Sequence, residues 1–377
     1  MPDDHVVSEP ALRRFAQRLR RWLAGQIETL DPGSFALVMA TGIISNSLFF
    51  ETRPLLSDAL FAANLVAYAL LLVFIILRAL WFWRALWADL VNPRRVFSFF
   101  TIVAATDVLG VGVYVRGFET IAQALWFFAL IGWSFLIYFS FGVLTFLNTP
   151  RGADVVAGGW LMAIVGTESL VLLGAVITPT LGVLGPSVFL LIHLFWGLGL
   201  ALYGVFIVIF SYRIFFFAIT PHDVTPSWWV VMGAAAISAN AGSILVLTDG
   251  EIPSLQSMRP IIEGTTPIIW TWATWWIPLL LSFGIWKHIV CRLPLNYTPA
   301  LWSLVFPLGM YALASLRVSL AADFPALQSL SHAMLWIALI AWAATASGLA
   351  AASWRSFRAD GDRATLDPRD PEADTVA

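Results

Sequence analysis

Charge is what this 377-residue chain has least of: Asp, Glu, Lys and Arg together make up 12% of it, against roughly a quarter in an ordinary soluble domain. That shortage excludes a globule dressed for water. Cysteine is nearly absent as well. Cys291 stands alone, so no disulfide within the chain and no multi-cysteine metal site can form. The histidines at 5, 193, 222, 288 and 332 include no i, i+4 pair for a metal or haem, and His193 reads as a buried neutral side chain rather than a ligand. The glycines of GVGV and GLGL lie inside apolar stretches, which rejects a phosphate-cradling loop, and GxSxG is missing. Residues 1–30 are polar and basic with no apolar core ending in small residues, unlike a cleavable signal. No cofactor, metal or nucleic-acid partner is expected, and no catalytic residues stand out.

What the chain has in plenty is apolar surface. It is 59% hydrophobic with a mean hydropathy of +0.82 and carries 19 Trp and 28 Phe. Uncharged runs at 120–150, 224–248, 264–286, 293–316 and 324–354 each reach or exceed the ~20 residues that carry a helix across a bilayer. The runs are continuous rather than alternating, which favours helices over a barrel. Ten spans follow, at 33–50, 58–83, 95–115, 119–147, 155–177, 184–217, 227–247, 263–288, 298–319 and 327–353. The fold class is therefore all-α and polytopic, with the lipid bilayer as its solvent. Residues 1–30 form a basic N-terminal segment and 31–353 the transmembrane domain, while 354–377, rich in Asp, Arg and Pro, read as a disordered tail. Within the first segment, ALRRFAQRLRRWLAG fits either an amphipathic helix on the membrane or a solvated cap.

An even number of spans puts both ends on one side, and Lys and Arg accumulate on cytoplasmic loops. With both termini cytoplasmic, seventeen of the 21 basic residues fall inside, and only Arg53, Arg116, Arg259 and Arg317 fall outside. A multi-pass protein of the cell membrane is expected.

A proline or polar turn precedes most odd spans, and Pro32, Pro93, Asp154, Pro226 and Pro299 serve as anchors. Their spacings of 61, 61, 72 and 73 residues are each one helical hairpin long, so the chain reads as five tandem hairpins. Fourteen residues past the anchors lie Asn46, Asp107, Glu168, Asn240 and Leu313. Four of these five are amides or carboxylates at one expected depth, and Glu168 has no other charge between Asp154 and Arg213. The residues just before them are Ser45, Thr106, Thr167, Ala239 and Ala312. Odd spans carry small residues, as in MATGIISN and VMGAAAISANAGS, whereas even spans are thick with aromatics, as in WTWATWW. Small residues let helices approach closely or leave room for a passage. The expected arrangement sets five odd helices around a central pore and five even helices outside, facing lipid or a neighbouring subunit.

At PGSFALVMATGIISN, GGWLMAIVGTESLVLLG and above all YTPALWSLVFPLGMYALASL, the chain resembles the tellurite-resistance/dicarboxylate transporter family. That group includes tellurite-resistance permeases, malate permeases, sulfite exporters and plant slow anion channels. The resemblance covers about residues 30–353 and rests on the order and spacing of the motifs. It implies a five-fold pseudo-symmetric pore in each protomer, a homotrimer, and a phenylalanine plugging the pore on the ninth helix. By its place in VFPLG that phenylalanine would be Phe306, with Pro307 bending the helix beside it. Phe306 lies seven residues past its anchor and the polar layer fourteen, so both share a helix face.

Carboxylates are costly inside a bilayer and mark pathways or buried contacts. For Glu168 and Asp107 two readings stay open: proton coupling to an anionic substrate, or a hydrogen bond tying two helices. Thr41, Ser45, Asn46, Ser238 and Asn240 are candidate pore-lining donors, although packing accounts equally for the hydroxyls. The function expected is transport of a small anion, C4-dicarboxylate or related, with a gated chloride or nitrate channel and a sulfite or tellurite exporter as alternatives. An intramembrane aspartyl protease is rejected, because YD and GxGD are both missing. A non-transporting scaffold would leave the repeated polar positions without a purpose.

Overall fold

The computed structural model describes residues 9–147, 158–248 and 253–366. Its helices are α1 (Glu9–Glu28), α2 (Ala36–Phe50), α3 (Pro54–Trp81), α4 (Trp83–Leu90), α5 (Phe100–Tyr114), α6 (Glu119–Gly142) and α7 (Met162–Ile177). They continue as α8 (Gly185–Phe216), α9 (Val230–Leu247), α10 (Pro253–Gln256), α11 (Arg259–Ile285), α12 (Trp302–Ala321) and α13 (Ala326–Leu366). Ten helices are long and apolar enough to cross a membrane, as the uncharged runs predict.

Burial sorts them into two rings. In the odd spans 72% to 94% of the apolar window is buried, against 17% to 39% in the even ones. The inner ring closes on itself: α2 packs on α5, α5 on α7, α7 on α9, α9 on α12 and α12 on α2. Around it α3 covers α2, α6 covers α5, α8 covers α7, α11 covers α9 and α13 covers α12. Small side chains on inner helices permit this closeness. A Cβ at Gly233 of α9 would stand 2.8 Å from Pro307 Cγ of α12, so only glycine lets the proline seat there.

Each inner helix is led by a short 3-10 turn, at Pro32–Phe35, Val96–Phe99, Gly158–Leu161, Pro226–Trp229 and Pro299–Leu301. Three begin with proline, whose missing N–H is no loss at a helix start. Asp31 caps the first by accepting from the Gly33 amide at 2.7 Å. The five turns touch in the same cyclic order as the helices and form the rim on the side of the chain termini, called here the terminal face. Near that face Asp89 of α4 binds Arg78 at 2.8 Å and Arg95 at 2.6 Å, while Arg78 Nε donates to the Glu28 carbonyl at 3.0 Å. The Asp89 carboxylate holds the Arg95 guanidinium above its ordinary range.

One expectation changes. Residues 354–366 continue α13 as helix instead of forming a disordered tail, because AASWRSFRADGDRATL holds strong helix formers and no proline. Residues 367–377 and Asp154 lie outside the described residues. The amphipathic α1 docks on that extension: Trp22 donates to Ser356 Oγ at 3.2 Å, Arg18 reaches the Phe357 carbonyl, and the Arg18 guanidinium sits 4.4 Å from the Phe357 ring centre.

Candidate functional site

The register of the rings revises the polar layer. Counted from the first residue of each 3-10 turn, Asn46, Asn240 and Leu313 lie at position fourteen, but Asp107 lies at eleven and Glu168 at ten. Pro93 precedes its turn by three residues, and Asp154 stands four before the Gly158 turn, so proline anchors mis-set the middle repeats. The single expected layer is thus split. At 1.5 Å rise per residue, the carboxylates sit ~5 Å nearer the terminal face than the two asparagines.

That shift also rotates them apart. Asp107 and Ser169 share position eleven and meet: Ser169 Oγ donates to Asp107 Oδ2 at 2.7 Å. Both line a small cavity on the ring axis, together with Asn46, Val108, Leu313 and Arg317. Asp107 is 1% exposed, and its Oδ1 has no hydrogen-bond partner among the described residues. Asn46 Nδ2 donates to the Val108 carbonyl at 3.0 Å.

Glu168, one residue short of Ser169, turns by about 100° away from them. Its fully buried side chain wedges against Gly199 of outer helix α8, where an added Cβ would fall 2.7 Å from Glu168 Cδ. Neither carboxyl oxygen makes a hydrogen bond by distance and angle, although Ser238 lies close by. The expectation that Glu168 faces the axis is therefore corrected. A Gly199→Val substitution should lower the Tm of the purified protein by overpacking worth about 1–3 kcal/mol. Combining it with Glu168→Ala should recover much of that loss, a coupling that a thermal double-mutant cycle reads directly.

Three of the expected lining residues point outward too. Thr41 accepts from Trp342 Nε1 of α13 at 2.9 Å. Ser45 and Ser57 of α3 exchange hydroxyl-to-carbonyl bonds of 2.8 Å each way. Ser238 donates to the Ala234 carbonyl at 2.9 Å, and its own carbonyl accepts from Trp196 Nε1 of α8. The hydroxyls of Thr41 and Ser45 thus serve the hairpin seams, whereas that of Ser169 faces Asp107 of the neighbouring inner helix.

Asn240 does reach the axial group. Its Oδ1 accepts from Arg317 Nη1 at 3.2 Å, and its Nδ2 points to Met310 Sδ at 3.3 Å. Arg317, counted on the exterior side by the charge tally, lies inside α12 and is only 8% exposed. The span drawn over 298–319 already contained it, near the end that the tally counted as outside. Its guanidinium also stands 5.3 Å from the Phe50 ring centre. It makes no ion pair among the described residues. A desolvated cation held by an amide and a ring face, with cavity beside it, attracts an anion strongly. Phe306 is fully buried on α12 and shares a helix face with Leu313 and Arg317, two to three turns closer to the terminal face. His193 is buried with Nδ1 2.7 Å from the Phe189 carbonyl, and no cluster of potential metal ligands occurs among the described residues.

A closed ring of five buried helices, sheathed by five more exposed apolar helices and holding Arg317 without an ion pair among the described residues, defines a polytopic membrane protein. The chain belongs to the SLAC1 family, described as voltage-dependent anion channels, whose pattern matches residues 29–350. Membership implies transport of anions across the membrane. An uncharacterized transporter of Methanocaldococcus jannaschii is 26% identical over 328 residues, 85% of this chain and 93% of that protein. An uncharacterized membrane protein of Mycobacterium tuberculosis is 40% identical over 134 residues, 35% of this chain and 67% of its own length.

Proposed function

We propose that small anions cross along the axis of the inner ring, drawn by Arg317 and checked by Phe306. The observation that carries this reading is the buried guanidinium, bonded to Asn240 and lining a cavity, with no acid salt-bridged to it among the described residues. A cation costs several kcal/mol to bury, and a passing anion offsets that cost. Phe306, on the same helix face, has no hydrogen-bonding group to offer a hydrated ion and blocks it until the ring swings aside. Pro307 removes a backbone hydrogen bond beside it and gives α12 a place to flex. Asn46 and Asn240 supply amide groups near the same depth.

The substrate class we favour is a C4-dicarboxylate such as malate, taken up with a proton. Asp107 shares the cavity with Arg317 and has a free Oδ1 on which a proton can ride. Glu168, turned toward Gly199, is left to packing. The alternatives are a gated channel for chloride or nitrate and a sulfite or tellurite exporter. The rings are read as one protomer of a homotrimer in the cell membrane, with the terminal face, where basic residues gather, on the cytoplasmic side.

Reconstituted vesicles loaded in turn with malate, chloride, nitrate and sulfite, across an imposed pH gradient, test the proposal. Malate uptake that rises with an inward proton gradient is the expected result. Chloride or nitrate current indifferent to the gradient would select the channel reading, and silence toward all four anions would refute axial anion transport. Asp107→Asn should abolish the gradient response, whereas Glu168→Gln should keep it. The reverse pattern would move the proton site to Glu168.

A further inference from the structure

Beside the ring, at the terminal face, a groove of about 710 Å³ opens between the end of α11, the head of α12 and the turn at Pro226–Trp229. Its volume is that of a small-molecule site. Pro294, Leu295, Asn296 and Thr298, in the segment between the π-helical turn Trp286–Val290 and the head of α12, line a further side. The wall within the membrane is apolar, and Leu281 and Ile285 on it are 50% and 52% exposed. Lys287 and His288 line the upper end, and no acid is found among the described residues that line the groove.

Both are fixed by backbone. Lys287 Nζ donates to the Val224 carbonyl at 2.7 Å, which leaves two of its three N–H groups free. His288 Nδ1–H donates to the Leu293 carbonyl at 2.8 Å, so its Nε2 is the ring nitrogen left for a ligand and donates to a phosphate in the imidazolium form that the phosphate itself favours. Trp228 and Trp229 stand at the same level, where tryptophan marks the boundary between headgroups and hydrocarbon. A lysine ammonium with an imidazole beside it above an apolar trough, placed at that boundary, matches a molecule with a negative head and a hydrocarbon tail.

We infer that this groove is a binding site for an anionic phospholipid, its phosphate between Lys287 and His288 and an acyl chain along Leu281 and Ile285. Bulk lipid wets any outer helix, but here the segment 294–298 lines the chain's site on a further side, and Lys287 with His288 discriminates by headgroup charge. The seated lipid touches Leu304, two residues before Phe306 on α12, so it reaches the helix that carries the proposed gate.

The site is tested without any transport assay. The full chain is purified in detergent, incubated with equal phosphatidylglycerol and phosphatidylcholine, and examined by native mass spectrometry. Retention of phosphatidylglycerol on the order of tenfold above phosphatidylcholine is expected, as each basic residue near a membrane surface contributes a few-fold. Lys287→Gln with His288→Gln should erase the preference, and the glutamine at 287 can still donate to Val224. Ile285→Trp should fill the trough and reduce retention of both lipids with the charges intact. Equal retention of the two lipids by the wild type, or a preference that survives both variants, would overturn the inference. So would Ile285→Trp splitting an oligomer while lipid retention stays the same, since a second copy would then cover the groove.

Discussion

Replacing Arg317 by Gln is expected to lower anion flux into reconstituted vesicles roughly 30-fold or more, because removing a desolvated charge from its partner costs about 2–5 kcal/mol. Glutamine keeps an amide that can bond Asn240 Oδ1, so the helix contact survives while the charge goes. Arg317→Lys restores the charge but not the planar fork, and should recover only part of the flux. Initial uptake rates, read beside a melting curve for each variant, separate the two losses. A folded Arg317→Gln protein that carries anions at the wild-type rate would take Arg317 out of the path. A purely structural arginine would show the opposite signature, with Tm falling and flux per folded protein unchanged. Burial alone does not choose between these. The choice rests on the axial cavity that Arg317 shares with Asp107, Asn46 and Ser169.

The architecture was legible because the bilayer allows so few solutions. Runs without charge must be helices, and five anchors one hairpin apart must be tandem hairpins. Small residues on odd spans and aromatics on even ones separated inner from outer, since only small side chains let five helices close a ring. The side chains on the axis were less legible, and the reason is rotational. One residue of error along a helix turns a side chain by about 100°, and proline anchors set the middle repeats off by three and four. Asp107 stayed on the axis despite that error, while Glu168 went to Gly199 and its neighbour Ser169 took the place expected of it. A count from the last residue of the stretches PGSF, VFSF, GGWL, PSWW and PALW, four of which end in an aromatic, brings Asp107 level with Ser169 and Asn46 level with Asn240 and Leu313. Arg317 was missed for a different cause. Sequence-level charge counting treats every basic residue as a loop marker, and it has no way to register one that the ring holds inside.

Phe306→Ala should act in the opposite direction to Arg317→Gln, raising anion flux on the order of tenfold or more. The argument is that an apolar ring on the axis sets a dewetting barrier, and each 1.4 kcal/mol taken from a barrier is about tenfold in rate. The same truncation empties a fully buried position on α12, so thermal stability should fall, by up to about 3–5 kcal/mol if the space stays dry and by less if water enters. Phe306→Leu keeps most of the volume and should give an intermediate flux. Unchanged flux with a lowered Tm would make Phe306 a packing residue and leave the gate elsewhere. The double variant Phe306→Ala, Arg317→Gln decides how the two residues divide the work. If Phe306 controls passage and Arg317 controls charge, the double variant should conduct faster than Arg317→Gln yet discriminate less between anions and cations than Phe306→Ala. Loss of flux equal to that of Arg317→Gln alone would instead mean that the cation site limits transport even with the plug removed. The ring would then behave as a carrier with one slow site, in which the phenylalanine contributes only a second-order barrier.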